Sequence, residues 1–255
     1  MKAVVCVLLL VGACQGPATL PPRGQAEAVR PMELRYHGEH TGDHRPWIYT
    51  AHVSVEPAVY EGRPAWRRSY RLENAGTKVE GTIVVDRDTP ASLESQSTFG
   101  DERSRTTFRH NQVETTVVGA DGKARIETIA VRGFFVTDMW SGFDLYVISL
   151  PLRPGYRTRV NILGGDRLRP FTISVERVER VRVPAGEFDA FRVFVDPLDG
   201  DDRLRSIYHV RSDGSPVVVR KQYVVNPKTE GEVKRSTGVE ELEAIERGSA
   251  VAGSG

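Results

Sequence analysis

The sequence predicts an all-β fold in which a strongly curved antiparallel sheet forms an open barrel or a sandwich. Apolar and polar residues alternate with a period of two in one segment after another, as in Trp47–Glu56. Turn residues such as Asp121-Gly122 separate these segments at intervals of about ten residues, which favours consecutive antiparallel hairpins. A sheet this long must twist and curl to bury one face, so we expect strong curvature.

The alternating segments follow one another along most of the chain. They predict strands over 47–56, 66–72, 79–85, 113–117, 156–162, 171–175, 191–195, 204–210 and 217–225. Two irregularities stand out. Arg68 interrupts the apolar side of its segment, and the apolar phase slips between Arg177 and Val181, which predicts a bulge. The segment from Val239 to Ile245 fits either a last strand or a short helix.

One internal segment, from Phe134 to Leu152, is more apolar than the rest of the chain after its N-terminal run. Asp138 is placed to cap a short helix that runs to about Ser149 and ends before Pro151. Two interpretations remain open at this stage. The segment is either a plug that closes one end of the sheet or a lid over an apolar cavity.

The N-terminus carries an export pattern. Lys2 precedes the apolar run from Ala3 to Val11, which is too short to span a bilayer and suits a signal peptide. Small residues then lead into Cys14, and this arrangement resembles the lipobox of bacterial lipoproteins. The resemblance implies cleavage before Cys14 and a palmitate-type acyl anchor on its sulfur. The alternative is an ordinary cleaved signal in which Cys14 has no special role.

These patterns divide the chain into four parts. We expect a lipoprotein signal peptide at 1–13, a lipidated N-terminus with a tether rich in Pro and Gly at 14–31, a single β-rich domain at 32–247, and a disordered tail at 248–255. Gln15 follows the anchor cysteine, and by analogy with enteric bacteria this favours the outer membrane, with the domain facing the periplasm.

Composition excludes several classes of function. The chain has 35 Lys and Arg residues against 34 Asp and Glu residues, so we expect no nucleic acid partner. It has two cysteines, of which Cys6 leaves with the signal peptide and Cys14 is acylated. A mature domain without thiols has no cysteine nucleophile, cysteine-ligated zinc or iron–sulfur cluster, and we expect no cofactor.

No catalytic motif is present. Ser141 lies outside a nucleophile elbow, and Gly164-Gly165 lacks the spacing of a phosphate-binding loop. The segment His37–His44 gathers three imidazoles and two carboxylates, which makes a metal-dependent enzyme an alternative. Its spacing matches no zinc motif, so a solvated hairpin loop is the preferred interpretation, and we predict neither a metal site nor a catalytic residue.

The stretch from Val181 to Val193 predicts a strand, a tight turn and a second strand. Pro184 ends the first strand, Gly186 supplies the turn, and Phe188 and Phe191 return to the core. This stretch resembles an exported bacterial family, the domain-of-unknown-function family 3108, and the resemblance extends over about residues 32–225. It implies a fold and a location outside the cytoplasm. It implies no catalytic residues.

The sequence therefore favours a membrane-anchored, non-enzymatic envelope lipoprotein whose concave face binds an apolar or amphipathic ligand such as an acyl chain. The alternative is a scaffold that binds a protein partner in an envelope complex. Candidate pocket residues are the large aromatic side chains of the first strands and of the apolar segment, although each could equally be packed core: Trp47, Trp66, Phe134, Phe135, Trp140 and Phe143.

Overall fold

The computed structural model describes residues 29–41, 47–74, 77–137, 142–164, 167–199, 205–225 and 236–246. In these ranges the chain forms fifteen strands in one sheet and one short helix. The predicted all-β fold with a curved antiparallel sheet is confirmed, and the sheet is open. Cys14, Trp140, the predicted signal peptide and the predicted tail lie outside the described residues. Within these ranges, no helix combines the length and the apolar character needed to cross a bilayer.

The first half of the sheet is a meander of eight strands. They are β1 (Met32–Thr41), β2 (Trp47–Tyr60), β3 (Arg63–Asn74), β4 (Thr77–Asp86), β5 (Ser92–Phe99), β6 (Glu102–Phe108), β7 (Gln112–Val118) and β8 (Ala124–Ala130). The second half contains β9 (Phe135–Thr137), α1 (Phe143–Ser149), β10 (Arg157–Gly164), β11 (Arg167–Val183), β12 (Gly186–Pro197), β13 (Ser206–Arg211), β14 (Val218–Val225) and β15 (Ser236–Glu246).

The two halves join through β1 and β15, which pair antiparallel in the middle of the sheet. The strand order is β8-β7-β6-β5-β4-β3-β2-β1-β15-β14-β13-β12-β11-β10-β9. Every neighbouring pair is antiparallel except β9 and β10. The segment 239–245 is therefore part of a strand. The predicted bulge is also present, since the register of β11 and β12 shifts between Val175 and Val178.

The two ends of the sheet meet through side chains. Phe135 of β9 and Leu163 of β10 form a small apolar cluster with Val113 of β7. Ser92 of β5 lies opposite Thr137 of β9, with 3.4 Å between their hydroxyl oxygens. The sheet therefore rolls until its last strand contacts the strands near its first edge, without a backbone ladder that would close a barrel.

Helix α1 fills the interior of the rolled sheet. Phe143, Leu145, Tyr146 and Val147 are at most 3% exposed and belong to the main core cluster. The helix begins at Phe143, later than Asp138, which lies outside the described residues together with 139–141. Among the two interpretations of this apolar segment, the position of α1 corresponds to a plug.

The described part of the histidine-rich segment, residues 37–41, is a strand where we expected a solvated loop. His37 and His40 belong to β1, because backbone hydrogen bonds to β2 and β15 on its two sides hold this segment extended. His44 lies outside the described residues. Among the side chains that the structure describes, no three His, Cys, Asp or Glu residues come close enough to hold a metal ion.

Candidate functional site

A cleft of about 580 Å³ opens between the tip of the β2–β3 hairpin, the start of β5, the end of β6 and the segment before β9. The hairpin tip turns sharply at Glu61 and Gly62, whose φ angles are 48° and 78°. The overlap of the two sheet ends brings β9 next to β5 and β6. The cleft therefore exists only because distant parts of the chain meet at the seam of the rolled sheet.

The floor and walls of the cleft are apolar and aromatic. Leu93 and Phe135 are buried at its base. Tyr60, Phe108 and Phe134 line it as half-buried side chains, and the ring centroids of Phe108 and Phe135 are 6.2 Å apart. Concave sites of this volume with mostly apolar walls are typical of small-molecule binding. The cleft is the best candidate site in the described part of the chain.

Charged side chains surround the opening of the cleft. Arg63, Arg109 and His110 line it and are exposed, and Glu61 is the acidic residue among them. Cationic groups therefore lie at the solvent end of an apolar depression. This arrangement presents an apolar surface and a charged surface to one ligand.

The structure places the predicted pocket residues in different environments. Phe134 and Phe135 come together in the cleft. Phe143 is completely buried and contacts the ring of Tyr208, and Trp66 is 5% exposed in the core. Trp47 is half-buried and stacks on Tyr49, with ring centroids 4.8 Å apart. Of the five predicted pocket residues that the structure describes, only Phe134 and Phe135 are therefore positioned to touch a ligand in the cleft.

Among the described residues, the void beside α1 is too small for an acyl chain. A void of about 20 Å³ remains there, lined by Met32, Leu34, Arg68, Asp144 and Ile148 among others. That volume suffices for about one water molecule. We expected a ligand on the concave face, but α1 and buried charged side chains occupy that space. The cleft at the seam is therefore the better candidate for a binding site.

A second groove, of about 590 Å³, crosses β1 to β6. Its lining is mostly hydroxyl, amide and charged side chains, including Ser54, Ser69, Thr82, Gln96 and Arg103. One aromatic side chain, Tyr70, lines this groove, whereas Tyr60, Phe108, Phe134 and Phe135 line the cleft at the seam. We therefore take the aromatic cleft, rather than this groove, as the candidate site.

A buried ionic network lies under α1, and sequence reasoning did not find it. Arg68 of β3 and Lys221 of β14 both contact Asp144 of α1, at 3.0 Å and 3.4 Å. Lys221 is also directly opposite Glu240 of β15 in the sheet. Arg68, Lys221 and Glu240 are at most 8% exposed, so two cations and two carboxylates share one interior site. Such a site is stable only when its charges are balanced.

Three ring side chains extend the network toward solvent. Tyr49 donates a 3.0 Å hydrogen bond to Glu240, and its hydroxyl lies 3.1 Å from that of Tyr223. The Tyr223 hydroxyl is in turn 2.7 Å from Nε2 of His40, which is half-buried. One proton arrangement satisfies all three contacts: Tyr49 donates to Glu240, Tyr223 donates to Tyr49, and His40 donates from Nε2 to Tyr223.

Two glycines make room for these rings. Gly38 of β1 pairs with Tyr49, and a Cβ atom there would overlap its ring. Gly238 of β15 pairs with Tyr223, and a Cβ atom there would overlap Tyr223 and crowd His40. In both places the aromatic ring lies across the backbone of the neighbouring strand. The absence of a side chain at Gly38 and Gly238 therefore provides the space that the rings of Tyr49 and Tyr223 occupy.

Burial shifts the protonation equilibria of these groups. Burial raises the pKa of the Glu240 carboxyl above its usual value, and Asp144 adds to the effect while Lys221 opposes it. Burial alone would lower the pKa of Lys221, but the carboxylates Asp144 and Glu240 raise it. Burial raises the pKa of Tyr223 to about 12 and lowers that of His40. The tyrosines are therefore neutral donors at neutral pH.

The network was visible in the sequence only as a break in the apolar pattern. Arg68 interrupts the face of Trp66 and Tyr70, and Lys221 occupies the apolar position between Val219 and Tyr223. A charged residue on a buried face needs a counter-charge. Alternation alone does not reveal that the counter-charge comes from Asp144, far away in the chain.

We expect Asp144→Asn to lower the free energy of unfolding by about 3 kcal/mol, because Arg68 and Lys221 then share a buried site with a single carboxylate. The measurement is urea unfolding followed by circular dichroism. Glu56→Gln is the matched control, since Glu56 pairs with Arg67 in solvent and should change stability by no more than about 0.5 kcal/mol. Equal effects of the two variants would contradict this account.

A second prediction concerns pH. Since the pKa of Glu240 is raised in the folded state, its contribution to stability is present below about pH 4.5 and is lost as the pH rises. Glu240→Gln removes this titration. The free energy of unfolding of the variant should therefore rise relative to that of the wild type as the pH increases from 4 to 8. A difference that stays constant over this range would show that Glu240 does not titrate abnormally.

Comparison with known proteins supports the fold. The structure is similar to the crystal structure of a β-barrel-like protein of the domain of unknown function DUF1849 from Brucella abortus, with a TM-score of 0.51 and 12% identity, covering 86% of this chain and 98% of that chain. A DUF1329 family protein from Desulfovibrio piger matches at a TM-score of 0.30 and 10% identity, covering 89% of this chain and 90% of that one. No curated protein matches the chain. A family model for a protein of unknown function, DUF3108, matches residues 48–230, more than half of the sequence, and this chain belongs to that family.

Proposed function

We propose that this protein is a non-enzymatic lipoprotein of the bacterial envelope, anchored through Cys14, whose domain holds one amphipathic ligand in the cleft at the seam of the sheet. The observation that carries the proposal is the cleft itself, with Leu93 and Phe135 at its base and Arg63 and Arg109 at its opening. Such a depression orients a ligand that has one apolar end and one polar end.

The aromatic lining supplies the driving force for binding. Each methylene group that leaves water for the apolar floor contributes about 0.8 kcal/mol, or about a fourfold gain in affinity. Phe108 and Phe134 are half-buried in the free protein, so a bound chain would cover apolar surface that is now in contact with water. The apolar lining thus supports binding of a ligand, and it is the reason that we favour a ligand-binding function over an enzymatic one.

The anchor gives this domain its location. The lipobox-like residues before Cys14 and the tether predicted within 14–31 support attachment to a membrane, with the folded domain held away from the surface. Gln15 favours the outer membrane, facing the periplasm. A domain in that position would meet lipids or other amphiphiles that leave the bilayer.

A homologous series of fatty acids tests the cleft. The full chain should bind octanoate, decanoate and dodecanoate with affinity that rises by up to about fourfold per methylene, measured by calorimetry. Phe108→Ser should weaken dodecanoate binding by about tenfold, because it removes one aromatic wall. Phe99→Ser is the control, since Phe99 is 62% exposed and does not line the cleft. Absence of binding, or equal losses in both variants, would overturn the proposal.

A labelling experiment tests the anchor. In a Gram-negative host supplied with radioactive palmitate, the wild-type chain and Cys6→Ser should incorporate label and sediment with membranes. Cys14→Ser should incorporate none and leave the membrane fraction, because it lacks the sulfur that is acylated. Label that persists in Cys14→Ser would rule out the anchor.

A further inference from the structure

We propose that the ligand of the cleft is a single-chain amphiphile with a monoanionic head group, a carboxylate or a phosphodiester, which Arg63 and Arg109 hold at the opening. This inference rests on the proposed function and adds the chemical class of the ligand. The strongest observation is that both arginines line the same apolar depression from separate parts of the chain. Arg63 begins β3, and Arg109 directly follows β6.

Unlike the nearby Arg67 and Arg105, these two arginines form no ion pair among the described residues. On β3, Arg67 pairs with Glu56 at 3.2 Å, and on β6, Arg105 pairs with Glu94 at 2.7 Å. Among the residues that the structure describes, neither Arg63 nor Arg109 lies in an ion pair with a carboxylate. Both are exposed at the cleft, so their donors remain available to a ligand.

The balance of charge around the opening favours one negative charge. Arg63 and Arg109 contribute two positive charges, and Glu61 contributes one negative charge. These three side chains together give the opening a net charge of +1. A monoanion neutralises it, whereas a dianion such as a phosphate monoester would leave excess negative charge beside Glu61.

The geometry of the groups suits an oxyanion. A guanidinium offers paired N–H donors that match a carboxylate or a phosphodiester oxygen pair. Phe108 lies one residue before Arg109. The ring that would contact the acyl chain and the cation that would contact the head group are therefore neighbours in the sequence. The apolar tail would lie over Phe135 while the head stays at the solvent end, where its desolvation is small.

Two ligands with the same chain test the inference. The full chain is titrated with dodecanoate and with dodecanol, which have the same number of carbon atoms but end in an anionic carboxylate and a neutral hydroxyl. Dodecanoate should bind about tenfold more tightly, and added salt should reduce its advantage while dodecanol binding stays constant. Equal binding of both ligands overturns the anion inference and leaves the proposed function standing. Absence of binding by either ligand overturns the proposed function and this inference with it.

Matched variants locate the effect. The double variant Arg63→Gln, Arg109→Gln should lose about tenfold in dodecanoate affinity and none in dodecanol affinity. The control is Arg157→Gln, Arg159→Gln, which makes the same change in net charge on β10 at two exposed arginines that do not line the cleft. If the control variant loses as much dodecanoate affinity as the cleft variant, the effect comes from net charge alone and the assignment to Arg63 and Arg109 is wrong.

A third comparison separates the sources of the anion. A lysophosphatidylglycerol carries one phosphodiester charge, and a dodecyl phosphate carries close to two at pH 8. The lysophospholipid and dodecanoate should both compete for the cleft, and their relative affinity identifies a phospholipid or a fatty acid as the better ligand. Tighter binding of dodecyl phosphate than of either monoanion would overturn the monoanionic assignment.

Discussion

The contact between α1 and the surrounding sheet depends on one carboxylate, which is 13% exposed. Asp144 forms ion pairs with Arg68 of β3 and Lys221 of β14. These two strands lie on opposite sides of the β1–β15 junction. A helix of seven residues has little stability of its own, so it needs tertiary contacts to persist. The apolar residues around Asp144 fill the interior, while the ion pairs define how the helix is oriented within it. Packing and charge therefore constrain the same element in different ways.

This use of the interior has a consequence for function. A rolled sheet with an empty concavity would resemble a carrier that encloses its ligand. Here α1 and the network occupy that space, and the remaining void holds about one water molecule. The open cleft lies instead where the ends of the sheet overlap, near Phe108 and Phe135. A ligand held there is covered on one side only, which suits an amphiphile that must be received from and returned to a bilayer.

Much of the fold was predictable from periodicity, and the failures have physical reasons. The strands with apolar alternation, such as the one containing Val193 and Val195, were found because a half-buried strand needs that pattern. The strands β5 and β6 were missed, since Ser97 and Ser104 face each other there through a 2.7 Å hydrogen bond instead of apolar contact. β1 was missed over its whole length, and in its second half Gly38 replaces a side chain to admit the ring of Tyr49.

The candidate site was less predictable than the fold, because it combines residues from four separate segments. Phe134 and Phe135 were identified through their apolar surroundings. Arg63 and Arg109 were not, since a scattered arginine has no local pattern that distinguishes it from a solvated one. Arg63 and Arg109 line the same cleft because the sheet is rolled. The alternation of apolar and polar residues along a strand does not indicate how strongly a sheet curves.

The pairing of β1 with β15 bears on how the protein reaches its native state. Glu33 lies opposite Glu246, so the junction in the middle of the sheet joins segments that are more than two hundred residues apart. Contacts between residues so far apart in the sequence form late in folding, because closing the long intervening loop costs conformational entropy. Until β15 has formed, the edge of β1 that pairs with it has unpaired backbone N–H and C=O groups, to which a strand of another chain can bond. A nascent chain of this kind would therefore rely on a chaperone or on rapid completion to avoid aggregation.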